Sequence, residues 1–324
     1  MKVNFWHILI VLLLGVCIII LLNGCSPPAE TTLPEVRYVG FKVYDPVYVA
    51  VDKGFFEKHG IKVNLISTVL GGPTAIQAVS AGSAEGGLSS VPALVNANAA
   101  GLPVQGVVDI QTSMEGQALQ RWFVRSDSDI HSFEDLAGKT YAVNLWKSSF
   151  HYTSLMALDQ RAIDPESINW VLLAFDKQIP ALANGEVDVI GLMEPYQSFA
   201  RKEYGNEFRE LFNDYDNVFY SSRHVSLIFI NRIWAKDHPA EAQAFVSGIV
   251  DAINWIEQNE EEAKAIISKY TEIPIDSVPV YHFTPNGEVR SDDVQWWMDF
   301  LKKRGDLTVD WLLPEDVATN KYPK

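Results

Sequence analysis

Residues 36–66 read VRYVGFKVYDPVYVAVDKGFFEKHGIKVNLI. Val36 to Gly40 is a short apolar run ending on glycine, which reads as a strand. Pro46 stands where a helix begins and Gly60 where it stops. Proline suits the first helical turn, and glycine suits the left-handed position past the last. Ile61 to Ile66 alternates apolar and polar side chains, the period of a strand. The same order continues outward. Gly71-Gly72-Pro73-Thr74 leads into a helix closed at Gly82, and Glu85 to Leu88 is a strand. Ser89-Ser90 caps a helix with Pro92 in its first turn, and Val104 to Ile110 is a further strand. Strands alternating with helices argue an α/β lobe with a mostly parallel sheet.

The pattern then restarts. Arg121 to Arg125 is a strand, Ser132 to Leu136 a capped turn, and Thr140 to Asn144 a strand. Ser148 or Ser149 opens a helix that ends near Ala162. Asn169 to Leu173 is a strand, Gln178 to Asn184 a helix, Val187 to Gly191 a strand and Pro195 to Lys202 a helix. Val218 to Tyr220 and Val225 to Ile230 read as strands returning towards the first lobe. The rest is helical. Phe245, Ile249, Ile253 and Ile256 fall at helical spacing, as do Val294, Trp297, Met298 and Leu301, with Ser291 as N-cap. Two α/β lobes, crossed near 113–119 and again near 220–228, describe a two-lobed periplasmic-binding-protein fold of type II. The ligand cleft lies between the lobes, at strand C-termini and helix N-termini. The expected division is lobe 1 over 35–118 and 230–324, and lobe 2 over 119–229.

Composition narrows the function. The 324 residues carry 26 Lys and Arg against 41 Asp and Glu, a formal charge of −15. That balance argues against wrapping a nucleic-acid backbone, which needs clustered positive charge. The only cysteines are Cys17 and Cys25, too few for a disulfide scaffold or a multi-cysteine zinc or iron–sulfur site.

The first residues give an address. Lys2 precedes an apolar run from Phe5 to Leu22, which stops at Asn23-Gly24-Cys25. A charged start, an apolar middle and small residues at a cut site make a secretory signal. Leu22-Asn23-Gly24-Cys25 resembles a bacterial lipobox, with Asn23 an unusual choice at its position. On this reading residues 1–24 are removed and Cys25 becomes the lipidated first residue. Residues 25–34, rich in small residues and proline, form a tether. The other reading is an uncleaved anchor, for which this run is near the short end of a bilayer span. Both place the body outside the cytoplasmic membrane.

Several segments resemble the solute-binding proteins of ABC importers for nitrate, sulfonates, taurine and thiamine pyrimidine precursors, the NMT1/THI5-like family. They are Pro46 to Ala50, Asp52 to Val63, Gly71-Gly72 with Ala78 to Gly82, Ser132 to Thr140, Ala181 to Asp188, Glu194-Pro195-Tyr196, and Lys236 to Pro239 with Ala244-Phe245. Order and spacing together carry the likeness, over about Val36 to Lys269. It implies capture of a small molecule by closure of two lobes, delivery to a membrane permease with its ATPase, no cofactor and a monomeric chain.

Candidate ligand residues follow from geometry. Helix N-termini present free N–H groups and a positive dipole end, which suit oxygen atoms and anions. Thr74, Ser89, Ser90, Ser148 and Ser149 stand at such ends, each with plain capping as the alternative. Lys147-Ser148-Ser149-Phe150-His151 resembles the Gly-Ser-Ser-x-His-type segment of the sulfonate-binding members, with lysine where glycine is usual. His151 is either a contact or a satisfied second-turn side chain. Tyr44, Tyr48 and Trp146 offer rings for a flat ligand or for packing. Glu194, followed by Tyr196, either accepts from a ligand amine or pairs with a nearby arginine. Gln111 and Glu115 line the cleft floor or are solvated hinge residues. Arg223-His224, near the return crossing, would clamp an anion or form an ion pair.

Catalysis finds little support. The sequence has no Gly-x-Ser-x-Gly, His-Glu-x-x-His or Walker pattern, and its histidines lack metal-ligand spacing. The family resemblance includes an enzymatic branch, the eukaryotic thiamine-pyrimidine synthases, whose cysteine-rich iron motif is missing here. The expectation is a binding protein and no enzyme, with no metal site. The alternatives are an enzyme on this fold, or a ligand-sensing lipoprotein without a transporter. The ligand is a sulfonate- or nitrate-like oxyanion, or a heteroaromatic such as a thiamine precursor or riboflavin.

Overall fold

The computed structural model describes residues 32–322. The expected signal, Cys25 and most of the tether lie outside the described residues.

The opening segment folds as its pattern predicts, with one break. β1 (Glu35–Gly40) leads to α1 (Pro46–Asp52), α2 (Phe55–Lys58) and β2 (Lys62–Thr68). The single helix expected to Gly60 is two short ones, because Gly54 between them takes φ 70°, the left-handed region. Asp45 caps α1, accepting from Val47 N at 2.9 Å and from Tyr38 Oη at 2.7 Å. Next come α3 (Gly72–Ser80), β3 (Gly86–Ser90), α4 (Val91–Ala99) and β4 (Val104–Ser113). β3 and β4 are buried along their whole length, as strands covered on both faces must be.

The second lobe follows with β5 (Arg121–Arg125), β6 (Thr140–Val143), α5 (Ser149–Asp159), β7 (Asn169–Leu172), α6 (Phe175–Ala183), β8 (Ile190–Leu192), α7 (Tyr196–Glu203) and β9 (Phe208–Asn213). β10 (Arg223–Asn231) returns to the first sheet, whose order is β2-β1-β3-β10-β4. The second sheet pairs β8-β5-β9 and β6-β7. A parallel bridge from Tyr141 to Val189 joins the two parts, giving β7-β6-β8-β5-β9. The sheets follow one plan. Each has one strand antiparallel to its neighbours, β10 or β5, and each of these is entered directly after a crossing.

Three expectations are corrected here. β9 was not expected, because charged Arg209 and Glu210 interrupt its apolar pattern on an edge strand. Val218 to Tyr220 is not a strand; Tyr215–Phe219 is one π-helical turn. Val218 and Phe219 are buried all the same, Phe219 edge-on to Trp296 and Trp297. Burial rather than β pairing explains their apolar character. The expected lobe boundary at 229/230 falls inside β10, so the return crossing is 214–222.

The rest of the chain is α8 (Arg232–Asp237), α9 (Pro239–Ile256), α10 (Glu260–Thr271), α11 (Ser291–Arg304) and α12 (Pro314–Val317). Phe245, Ile249, Ile253 and Ile256 of α9 are core residues, as are Val294, Trp297, Met298 and Leu301 of α11. Ser291 is the first helical residue, and Arg290 holds the N-cap position. Asp293, in the first turn of α11, is buried. It accepts from Arg290 Nε at 2.7 Å, Arg223 Nη1 at 3.0 Å and His224 N at 3.1 Å.

Candidate ligand-binding cleft

Three helix N-termini meet between the lobes. Gly72 begins α3, Ser90 holds the N-cap position of α4 without a side-chain capping bond, and Ser148 caps α5. With Asn144, Ser149 and Ser226 on one part of the wall and Phe41, Phe150, Phe175 and Met193 on the rest, they line a niche of about 10 Å3. Gly72 must be glycine for this approach, since a Cβ on it would lie 2.2 Å from Ser89 Oγ. Ser226 stands opposite Ser90 on one side and Gln111 on the other, so the three form a row across the sheet. Lys147 adopts φ 61°, the left-handed conformation that glycine takes without strain.

The niche holds neutral donors and no lysine or arginine side chain among its lining residues. Ser148 Oγ donates to Asn144 Oδ1 at 2.9 Å and caps His151 N at 3.4 Å. Ser149 Oγ accepts from Gln120 Nε2 at 3.0 Å, which leaves its own proton free to donate. Ser90 Oγ, Ser89 Oγ, Gln111 Oε1 and Gln120 Oε1 are buried without a partner, a costly state for polar atoms unless a ligand or water meets them.

A larger space of about 510 Å3 opens outside the niche, walled by Phe41, Leu70, Phe175, Tyr196, Phe199 and Tyr204. Phe41 and Phe175 border both spaces. Lys42 pairs with Glu272 at 2.7 Å on its rim. The lobes touch across the cleft. Tyr44 N donates to Glu194 O at 3.2 Å, Asn144 Nδ2 to Leu70 O at 3.3 Å and Asn96 Nδ2 to Tyr152 Oη at 3.0 Å.

The sequence profile of the family described as NMT1/THI5 like matches residues 43–263. The chain belongs to that family. A putative binding protein of Bacillus subtilis, YtlA, is 26% identical over 74% of this chain and 70% of its own length. Two solved structures share the fold. The alkanesulfonate-binding protein SsuA of Xanthomonas axonopodis pv. citri, bound to MOPS, superposes with TM-score 0.72 at 18% identity, covering 91% of this chain and 99% of that one. The periplasmic nitrate-binding protein NrtA of Synechocystis PCC 6803 superposes at 0.70 with 13% identity, covering 90% and 87%. Both superpositions show the fold that was read from the alternation of elements.

The expected site residues divide into three groups. Ser90, Ser148 and Ser149 line the niche, and Tyr196 lines the outer space. Ser89, Gln111 and Thr74 stand beside the niche in β3, β4 and α3 without lining either space. The others have partners within the protein or face solvent. Tyr44 stacks on Tyr281 at 4.8 Å. Tyr48 stacks on Tyr270 at 4.6 Å and donates to Phe41 O at 3.1 Å, which positions Phe41. Trp146 is exposed and edge-on to His151, and burial lowers the His151 pKa to about 4. Glu115 is exposed in the first crossing. Glu194 accepts from Gln197 at 2.8 Å, from Ser198 Oγ at 2.9 Å and from Arg201 at 3.2 Å, the arginine alternative. Burial raises its pKa against the pull of Arg201. Arg223 pairs with Asp293, and His224 is fully buried beside Asp109 and Asp293. Phe41, Asn144, Phe175 and Ser226 were not foreseen. Phe41 and Asn144 follow β1 and β6, Phe175 begins α6 and Ser226 lies in β10, and none bears a local signal.

Proposed function

We propose that this chain is the lipid-anchored, extracytoplasmic solute-binding component of an ABC importer. It closes its lobes on a small organic molecule and hands it to a membrane permease, without chemistry of its own. Family membership and the binding-protein fold support the class. The observation that carries the ligand reading is the two-part cleft.

Size assigns the parts. About 10 Å3 admits about one water-sized group, so one head-group oxygen reaches the niche while the rest of the head stays at its mouth and no ring enters. About 510 Å3, lined by aromatic rings and also by Lys42, Asp176 and Glu272, lies in the range of small-molecule pockets. The ligand therefore carries a small oxygen-bearing head and an apolar or flat body. An organic sulfonate fits this division. Bare nitrate leaves the outer space empty, and a heteroaromatic without such a head leaves the buried hydroxyls unmet. With neutral donors and helix dipoles only, the niche suits a single negative charge. Ser90, Ser148 and Ser149 would donate to the head, and Tyr196 and Phe175 would flank the body.

A thermal-shift panel on the mature chain tests this, with alkanesulfonates, taurine, nitrate, aminopyrimidines, thiamine and riboflavin. Ligand at a hundred times its dissociation constant adds about 2.7 kcal/mol, a shift of a few degrees. Organic sulfonates should give it, and Ser149→Ala should weaken it. Binding of riboflavin or thiamine with silence from every sulfonate would overturn the head-in-niche reading.

A further inference from the structure

The end of the first lobe remote from the cleft carries an apolar surface unconnected with ligand capture. Trp311 is 60% exposed, Ile233 61% and Leu313 51%. Trp311 and Ile233 flank a groove of about 300 Å3, with Lys236 and Asp316 beside them, the Asp316 carboxylate accepting from Leu313 N at 3.0 Å. Two large apolar side chains left in water on one groove, with exposed Leu313 two residues along the chain from Trp311, mark an interaction surface. Arg232 beneath them is committed to the fold, donating to Val104 O at 3.1 Å and Asp316 O at 2.9 Å, and also to Asn98 Oδ1. Lys236 is therefore the groove's one uncommitted basic side chain among the described residues. The surface is apolar rather than basic, and it belongs to a strongly acidic chain.

Its position identifies the occupant. Ile233 follows the end of β10, and the groove also touches Pro103 at the start of β4. β1 begins at this same end of the sheet. Glu85 N donates to Arg37 O at 3.0 Å, and Asn231 N to Glu85 O at 2.8 Å, which sets the start of β1 level with the end of β10. With β3 and β10 lying between β1 and β4, the groove is about 14 Å across the sheet from the point where the N-terminal segment joins the body. Residues 26–33 span at most about 28 Å when extended.

We propose that this end of the first lobe rests on the bilayer that holds the lipid of Cys25, with Trp311, Ile233 and Leu313 entering the interface. The proposal rests on the lipid-anchor reading. Tryptophan favours the membrane–water boundary, where its ring is buried and its N–H stays wet. The contact can be weak, because a short tether supplies a high effective concentration of surface. It suits a zwitterionic bilayer and is insensitive to salt. The cleft lies at the opposite strand ends and stays free to open.

The test uses the full chain, lipidated in cells and reconstituted into phosphatidylcholine vesicles containing a nitroxide-labelled lipid. Cys25 is consumed by the lipid on this reading, so Leu313→Cys gives one thiol for a fluorescent probe. Quenching at 313 several-fold above that at Glu166→Cys, on an exposed turn of the second lobe, is the expected result. It should persist at high salt and fall when Trp311 and Ile233 are both changed to serine, with ligand affinity unchanged. Equal quenching at 313 and 166, or none at either in a vesicle-bound chain, overturns the contact. Self-association at 313 in place of lipid quenching overturns it too, in favour of a second copy. A chain that stays in the aqueous phase with a labelled Cys25 refutes the anchor instead, and the mass of the N-terminal peptide separates these cases.

Discussion

Asp214, in the return crossing, accepts a 2.8 Å hydrogen bond from Ser113 Oγ at the end of β4 and a 3.1 Å bond from Gln120 N. One buried carboxylate thus ties together the two connections between the lobes. Gln120 in turn donates to Ser149 in the niche, so a chain of hydrogen bonds runs from the ligand niche to the crossings.

Burial raises Asp214 to about 7, against about 3.9 for an ordinary aspartate. The folded state holds a proton that the unfolded chain releases between those values. This contribution to stability is full below about pH 4 and is lost as pH rises through 7. Asp45, raised to about 6 by burial, acts with the same sign. His151, lowered to about 4, acts oppositely, its contribution being lost as pH falls. Asp214→Asn can accept from Gln120 N through its oxygen and donate from its amide to Ser113 Oγ, keeping both contacts without the charge. Its melting temperature should fall by a few degrees less than that of the native chain between pH 5 and pH 8. Parallel melting curves across that range would count against the assignment.

Gly72→Ala places a methyl group 2.7 Å from the Ser89 α-carbon as well as 2.2 Å from its hydroxyl. The start of α3 must move, at about 1–3 kcal/mol, and the niche loses its shape. Ligand affinity should drop at least about tenfold by calorimetry. Ser89→Ala should not restore it, because the new methyl still meets the backbone of residue 89. Full recovery in the double variant would show that the hydroxyl alone was the obstacle.

The closed state depends partly on Asn96 and Tyr152, whose 3.0 Å bond joins α4 to α5. Tyr152→Phe removes it while keeping the ring, at about 0.5–1.5 kcal/mol. The ligand should dissociate about three- to tenfold faster, with little change in association. Stopped-flow release measures this, and an Asn96→Ala background should abolish the effect of Tyr152→Phe.

Glu194 separates a ligand role from a structural one. Its carboxylate is occupied by Gln197, Ser198 and Arg201, so Glu194→Gln should lower stability by about 1–3 kcal/mol through the weakened start of α7. Ligand affinity should change less than threefold. Loss of binding with unchanged stability would return Glu194 to the ligand.

Trp297 is fully buried in α11 and donates from Nε1 to His224 O at 2.8 Å. Trp297→Ala should cost about 3–5 kcal/mol, readable as a shift in the denaturant midpoint without change in ligand preference.

Much of this was legible along the chain. The alternation of strand and helix, the glycine and proline boundaries, the core faces of α9 and α11 and the Ser148 cap all follow from periodicity and local backbone chemistry. β9 escaped because an edge strand tolerates Arg209 and Glu210 without an apolar alternation. Among the rings, Tyr44 and Tyr48 could not be told from Phe41 and Phe175 by spacing, since which ring faces the cleft depends on what packs behind it. Tyr281 and Tyr270 stack on the first two, while the latter two are left bordering the open space.

The sequence by itself determined the α/β class, the two-lobe plan and the helix ends that offer donors, because these depend on residues close together in the chain. Only the tertiary structure decided that Gly72, Ser90 and Ser149 meet, that Gln120 donates to Ser149, and that Trp311 shares an end of the sheet with Glu35. Those relations join segments far apart in sequence, and they are fixed by strand order and close packing, which no local pattern encodes.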